Sequence, residues 1–159
     1  NQVLLVNIFM KRIAFNKNAN FNYIFSEKFE VGLVLTGDEV KSIRNNSVSI
    51  KESYIGEKKS EFWLFNCHIG EYKSSSSNSY NPTRVRKILI KRKEQNKIIG
   101  PANKEGNSII PISLYFNKRG FAKMLVGIGK GKKKFDKRQS LKKKEWDVKK
   151  RRLLKNSHR

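Results

Sequence analysis

Ile109-Ile-Pro-Ile-Ser-Leu-Tyr-Phe116, then Asn117-Lys-Arg-Gly120, then Phe121-Ala-Lys-Met-Leu-Val-Gly-Ile128, is the stretch that decides the fold. Two runs rich in β-branched and aromatic residues flank a polar turn containing glycine, which is the signature of a β-hairpin. Pro111 has no amide proton to give to a ladder, so it belongs at a sheet edge or in a bulge. Beyond Ile128 the apolar pattern stops and a cationic tail begins. From Lys130 to Arg159 there are fifteen Lys or Arg against Asp136, Glu145 and Asp147, a net +12 of the chain's formal +23. Such an arm points to a polyanionic partner, because each phosphate it neutralises releases condensed counterions.

Working back from the hairpin, short strand patterns alternate with turns. Tyr23, Ile24 and Phe25 form a half-buried segment, and Phe29 to Leu35 is the clearest early strand, with Gly32 marking a bulge or bend. Asp38 to Arg44 changes to helical spacing and ends at Asn45-Asn46. Val48 to Ile55 and Glu61 to Ile69 read as a second hairpin around a tip of four or five residues at Glu57-Lys58-Lys59-Ser60. Gly70 to Arg86, with serines at 74 to 77, reads as a mobile surface loop. Lys87 to Ile90 leads into a helical segment, Lys91 to Ile99, that Gly100-Pro101 should stop. About six strands without a βαβ rhythm predict a mainly β fold, a small closed barrel of the oligonucleotide-binding (OB-like) type with short flanking helices. The predicted organisation is an N-terminal extension at 1–15, a barrel domain at 16–130 and a basic tail at 131–159. Met10 reads as the true start, with residues 1–9 upstream of it.

The composition narrows the partner. Thirty-six Lys and Arg against thirteen acids, at a pI of about 10.3, favour nucleic acid or an anionic membrane. No apolar run approaches the ~20 residues of a spanning helix, which disfavours the membrane. The single cysteine, Cys67, excludes an internal disulfide and a cysteine-only metal cage, and it suits a reducing cytoplasm.

Catalytic or metal chemistry finds little support. Cys67 and His68 would point to opposite faces of a strand, His158 lies near the terminus, and no zinc set emerges. Asp38-Glu39 is best read as an acidic helix start that complements the dipole. Gly127-Ile-Gly129-Lys130-Gly131-Lys132 lacks the spacing of a phosphate-binding loop and reads as a hinge. Asp136 with Gln139 resembles a capping box for a helix through Leu154. On that helix Leu141 and Val148 share one stripe while Trp146 and Leu153 share another, so no single apolar face forms. The free tail is therefore expected to be disordered and to become helical on its partner. No cofactor and no metal are expected.

Several stretches in order carry a family resemblance: Phe29-Glu-Val-Gly-Leu with Glu39-Val-Lys-Ser-Ile-Arg44, Pro82-Thr-Arg-Val-Arg-Lys-Ile-Leu89, Leu114-Tyr-Phe, Gly129-Lys-Gly-Lys-Lys133 and Asp136-Lys-Arg138. Over roughly Asn16 to Arg159 the chain resembles the SsrA-binding proteins, or small protein B, partners of transfer-messenger RNA. The resemblance implies a non-enzymatic adaptor whose barrel grips the tRNA-like domain of that RNA. The tail would enter the empty messenger channel of a stalled ribosome, at the small-subunit decoding centre. It also implies a cytoplasmic monomer in a 1:1 RNA complex. By alignment Glu30, Leu89 and Lys123 would contact RNA, together with Arg84, Arg86 and Lys87 of the second stretch. Lys130, Lys132, Lys133, the Asp136-Lys137-Arg138 motif, Trp146, Leu153 and Leu154 would meet the ribosome. Asn18 to Asn22 departs from the family's basic or histidine residues, although Phe21 could stack on a base. A constitutive ribosomal protein, or a basic RNA-processing enzyme on a similar barrel, is the alternative reading.

Overall fold

A computed structural model describes residues 12–73, 80–102 and 106–156. The start assigned to Met10, the extension at 1–9, the serine run and His158 lie outside those residues. In chain order the elements are β1 (Arg12–Phe15), α1 (Ala19–Asn22), β2 (Tyr23–Leu33), α2 (Gly37–Arg44), β3 (Val48–Ser49), β4 (Tyr54–Lys58) and β5 (Glu61–Phe65). There follow β6 (His68–Ile69), β7 (Arg86–Leu89), α3 (Arg92–Ala102), β8 (Asn107–Phe116), β9 (Ala122–Gly131) and α4 (Lys134–Asn156).

The expected hairpin forms, and its β8–β9 ladder closes the sheet on itself. Antiparallel pairs run from β8 through β4, β5, β7, β2 and β9, and β9 pairs with β8 again, so six strands are ringed by hydrogen bonds. The mainly β, oligonucleotide-binding-type expectation is borne out. β1 adds to the edge of β8 beyond β4, pairing Phe15 with Ser113, which brings the N-terminal boundary of the sheet to Arg12 rather than residue 16. Val48–Ser49 and His68–Ile69 form a separate two-stranded ladder.

Side-chain alternation sorts the core. Val31, Leu64, Ile88, Leu114, Met124, Val126 and Ile128 point into the ring, where Ile43 of α2 and Ile98 of α3 join them. On the outer face Ile110, Ile112, Tyr115 and Leu125 pack with Ala19 of α1 beneath Tyr23 and Phe25. Pro111 sits where the β8–β9 register shifts, the bulge its missing amide predicts.

Several local expectations are corrected. The bulge in β2 lies between Phe25 and Glu27, not at Gly32. Gly127 and Gly129 belong to β9 rather than to a hinge. Phe25 covers them so closely that a Cβ on Gly127 would stand 2.5 Å from the ring. α3 runs through Gly100-Pro101 to Ala102.

The tip of the β4–β5 hairpin is two residues, not four or five. Lys58 pairs with Glu61, and Lys59 and Ser60 take φ of 53° and 59°. Two consecutive left-handed residues are what the strand twist requires of a type I′ turn, and side chains other than glycine and asparagine pay for that conformation. Lys59→Asn with Ser60→Gly is therefore expected to raise stability by about 1 kcal/mol. A urea midpoint that moved upward at unchanged slope would show it.

Candidate nucleic-acid interface

The ladder registers bring three sequence-predicted RNA contacts to one outward surface. Across neighbouring strands Gly32 of β2 faces Leu89 of β7 on one side and Lys123 of β9 on the other, and Lys123 in turn faces Tyr115 of β8. Glu30 is two residues from Gly32 on the same side of β2. The Tyr115 hydroxyl donates to Glu30 Oε2, and Lys123 Nζ stands 3.8 Å from Glu30 Oε1. Tyr115 is only 4% exposed. Burial, then the Glu30 hydrogen bond and charge, raise its pKa far above the usual phenol value, so it is a protonated donor at neutral pH. Beside this cluster runs a groove of about 470 Å³, lined by Gly32, Leu89, Lys91, Arg119, Phe121 and Lys123. Leu89 and Phe121 are 52% and 64% exposed and border the same groove, so they add apolar surface beside the cluster. Tyr115 and Phe121 join this surface with no local signal to mark them: the sequence shows a strand at Tyr115 but not the charge that strand pairing sets beside it.

The basic residues of the second stretch divide. Lys87, at the surface, pairs with Glu61 and lies opposite Trp63. Arg86, which the resemblance implies as an RNA contact, is instead fully buried and cannot meet RNA in this fold. Its Nε donates to Glu39 Oε1 at 2.8 Å, Nη1 to the carbonyls of Cys67 and Arg84 at 2.7 and 2.9 Å, and Nη2 to that of Pro82 at 3.0 Å. Arg84, about one-third exposed, grips the same carboxylate through Nε and Nη2. Glu39 is thus more than an acidic helix start. It is fully buried, closes a capping box by accepting from the Thr36 amide at 2.9 Å, and anchors two arginines. Burial raises its pKa, but the Arg84 hydrogen bond, the Thr36 amide and the Arg86 charge outweigh that and hold it below the usual carboxylate value. Burial likewise pushes the Cys67 thiol up to about 11, as expected of a packing residue.

A family model described as SmpB protein matches residues 13–156, which takes in the strand ring, the groove and α4. The chain belongs to the SmpB family. An SsrA-binding protein of Wolbachia pipientis wMel is 48% identical over 148 residues, 93% of this chain and 99% of that one. One from Nitrobacter hamburgensis is 47% identical over 145 residues, 91% and 92% of the two chains. Among solved structures, a chain described as "tmRNA-SmpB: a journey to the center of the bacterial ribosome" superposes with a TM-score of 0.64 at 32% identity, covering 80% of this chain and 92% of that one.

In this SmpB-family chain the remaining predicted site residues lie away from the groove. Phe21, half-buried, is on α1, which is tied to the base of the tail. The Lys132 amide donates to the Asn22 carbonyl at 2.7 Å, and Lys132 Nζ reaches the Asn20 carbonyl at 3.0 Å and Ser140 Oγ at 3.3 Å. Lys130 and Lys133 are exposed on either side of Lys132. α4 begins at Lys134, so Asp136 lies inside its first turn and not at its cap, where a negative charge still complements the dipole. The tail, expected to be disordered when free, is carried as one helix. Its Lys, Arg, Leu and Glu are strong helix formers, which local propensity satisfies without packing. As expected, no single apolar face is buried: all side chains from Leu141 to Leu154 are exposed, Trp146 by 66%. Among the described residues no group of three His, Cys, Asp or Glu could hold a metal, and no helix is long and apolar enough to cross a membrane.

Proposed function

We propose that this SmpB-family chain is a non-enzymatic, cytoplasmic RNA-binding adaptor of ribosome rescue. The Glu30–Lys123–Leu89 surface holds the tRNA-like domain of transfer-messenger RNA, and the tail helix occupies the empty messenger channel of a stalled ribosome, so that the RNA is accepted there without a codon. The observation that carries this reading is a family match running unbroken from the sheet through the tail, with relatives named for binding SsrA. The geometry supports a division of labour. The floor of the groove is built on paired strands, at Gly32, Leu89 and Lys123, while α4 projects charge that only an extensive polyanion can neutralise along its length. The tail helix, lacking a packed face, should be fully populated only on the ribosome. The peptidyl and tagging chemistry belongs to the ribosome.

Sequencing the RNA that copurifies with the chain tests the assignment, with transfer-messenger RNA expected as the dominant species. Lys123→Ala is expected to weaken binding to that RNA about tenfold at low salt, the size of one lost charged contact. An unchanged affinity would remove the groove from the interface.

A further inference from the structure

Only Lys132 and Lys133 join the last strand to the tail helix, and the joint is uncrowded: a Cβ on Gly131 would meet nothing within 4 Å. Apolar packing does not set the direction of α4 either, since Phe135 and Leu141 on its first turns are 66% and 45% exposed. What crosses the joint is one cation. Lys132 takes two carbonyls at the C-terminal end of α1, that of Asn22 through its amide at 2.7 Å and that of Asn20 through Nζ at 3.0 Å. The same ammonium donates to Ser140 Oγ, in the second turn of α4, at 3.3 Å. We propose that Lys132 is a positioning residue rather than a ribosome contact, an ammonium brace that fixes the direction in which the first turns of α4 leave the barrel. Its purpose rests on the adaptor reading above: a tail already aimed when the ribosome is met enters the messenger channel more often than one that swings.

Both ends of the brace are anchored. α1 cannot follow the tail, because Ala19 is buried among Ile110, Ile112 and Leu125 on the outer face of the sheet. Asn16, just before it and itself buried, gives its amide to the Ile112 carbonyl at 2.9 Å and its Nδ2 to the Pro111 carbonyl at 3.3 Å. On the tail side the Ser140 hydroxyl donates to the Asp136 carbonyl at 2.9 Å, as serines within helices do, which leaves its lone pairs to the ammonium. Carbonyls left open at the end of a helix carry partial negative charge and favour a cation, so the donor suits the α1 end it meets. Two of the three ammonium donors of Lys132 are thereby committed inside the chain. Lys132 is half-buried at this junction, whereas Lys130 and Lys133 are exposed and keep their charge for phosphate.

The test uses the full chain with spin labels on Lys118→Cys, on the exposed β8–β9 turn, and on Lys142→Cys, just beyond Ser140; the native Cys67 is buried and stays unlabelled. Double electron–electron resonance on the free chain is expected to give one narrow distance distribution. Lys132→Met keeps the stem without the ammonium and should broaden it, Ser140→Ala should broaden it less, and Lys132→Arg should restore most of the parent width. Lys133→Met removes the same charge from the same joint and should leave the width unchanged. On stalled ribosomes Lys132→Met should raise the concentration of chain–RNA complex needed for half-maximal tagging about tenfold at an unchanged maximal rate, in proportion to the fraction of tails still aimed. The salt slope of ribosome association should not change, whereas a lost phosphate contact would make it shallower by about 0.7 to 0.9. A broad distribution in the parent chain, a width that Lys132→Met leaves unchanged, one that Lys133→Met broadens as much, or a shallower salt slope for Lys132→Met overturns the proposal. The distances are read without RNA or ribosome, so the two readings fail separately. A brace intact in a chain that supports no tagging refutes the proposed function alone, and tagging by a parent chain with a broad distribution refutes this inference alone.

Discussion

Arg86→Ala is expected to cost about 3–5 kcal/mol, a large share of the roughly 5–15 kcal/mol that stabilises a domain of this kind. The loss is large because the guanidinium serves four separate acceptors. Its removal leaves the Glu39 carboxylate with less compensation at a fully buried site and withdraws donors from the carbonyls of Cys67, Arg84 and Pro82. Those carbonyls belong to the turn after β5 and to the loop entering β7, so the strand ring would open where β7 joins β5. Arg86→Lys should recover only a fraction, since one ammonium cannot reproduce a planar fork of donors. Urea unfolding followed by far-UV circular dichroism measures this. A midpoint within error of the parent chain would show that the buried ion cluster is dispensable.

The same cluster fixes the sign of the acid response. Glu39 has a folded pKa held below its ordinary 4.5, so the stability it contributes is complete above that value and is lost as pH falls through the folded pKa. Glu39→Gln should flatten that acid limb while lowering stability at neutral pH, because Arg86 would then be a buried charge without its counterion.

How far the sequence could be read depends on the range of the interaction concerned. The β-branched and aromatic enrichment of Ile109 to Phe116 and Phe121 to Ile128 around a glycine turn is local, so the hairpin and its bulge at Pro111 were legible. The capping box was also there to be seen in Thr36-Gly-Asp-Glu39, a local spacing of three. The partners of Glu39 were not legible, because Arg84 and Arg86 lie 45 and 47 positions away and come in only when β7 pairs with β2, the strand that leads into α2. Arg86 was placed at the interface by its position in the second family stretch: basic residues are ordinarily exposed, and nothing local marks one that is folded inward against backbone carbonyls. Tyr115 follows the same rule. Its strand was legible, while its role beside Glu30 required the register of three strands. The hairpin tip at Lys59-Ser60 was overestimated because neither residue favours the left-handed region that the turn imposes on it.

Replacing Asp136, Lys137 and Arg138 together by alanine is expected to leave binding of transfer-messenger RNA within about threefold of the parent, a fraction of one charged contact, while abolishing peptide tagging on ribosomes stalled without a codon. The argument begins with position. The three residues lie in the first turns of α4, beyond the Lys132 contacts that fix the base of the tail to α1, and none belongs to the Glu30 cluster or lines its groove. Alanine favours helix, so the substitution does not break α4. It removes two cations and the acidic charge that complements the dipole, groups that ribosomal phosphates and bases would meet as the helix enters the channel. The order of events then separates recruitment, which depends on the groove, from acceptance, which depends on the tail. Trp146→Ala should lower tagging by a different route, through lost stacking of an indole that is 66% exposed in the free chain. Solution RNA binding and tag addition, measured on the same variants, decide the matter. If the triple substitution lost both activities together, or neither, groove and tail would not be separable parts of the mechanism.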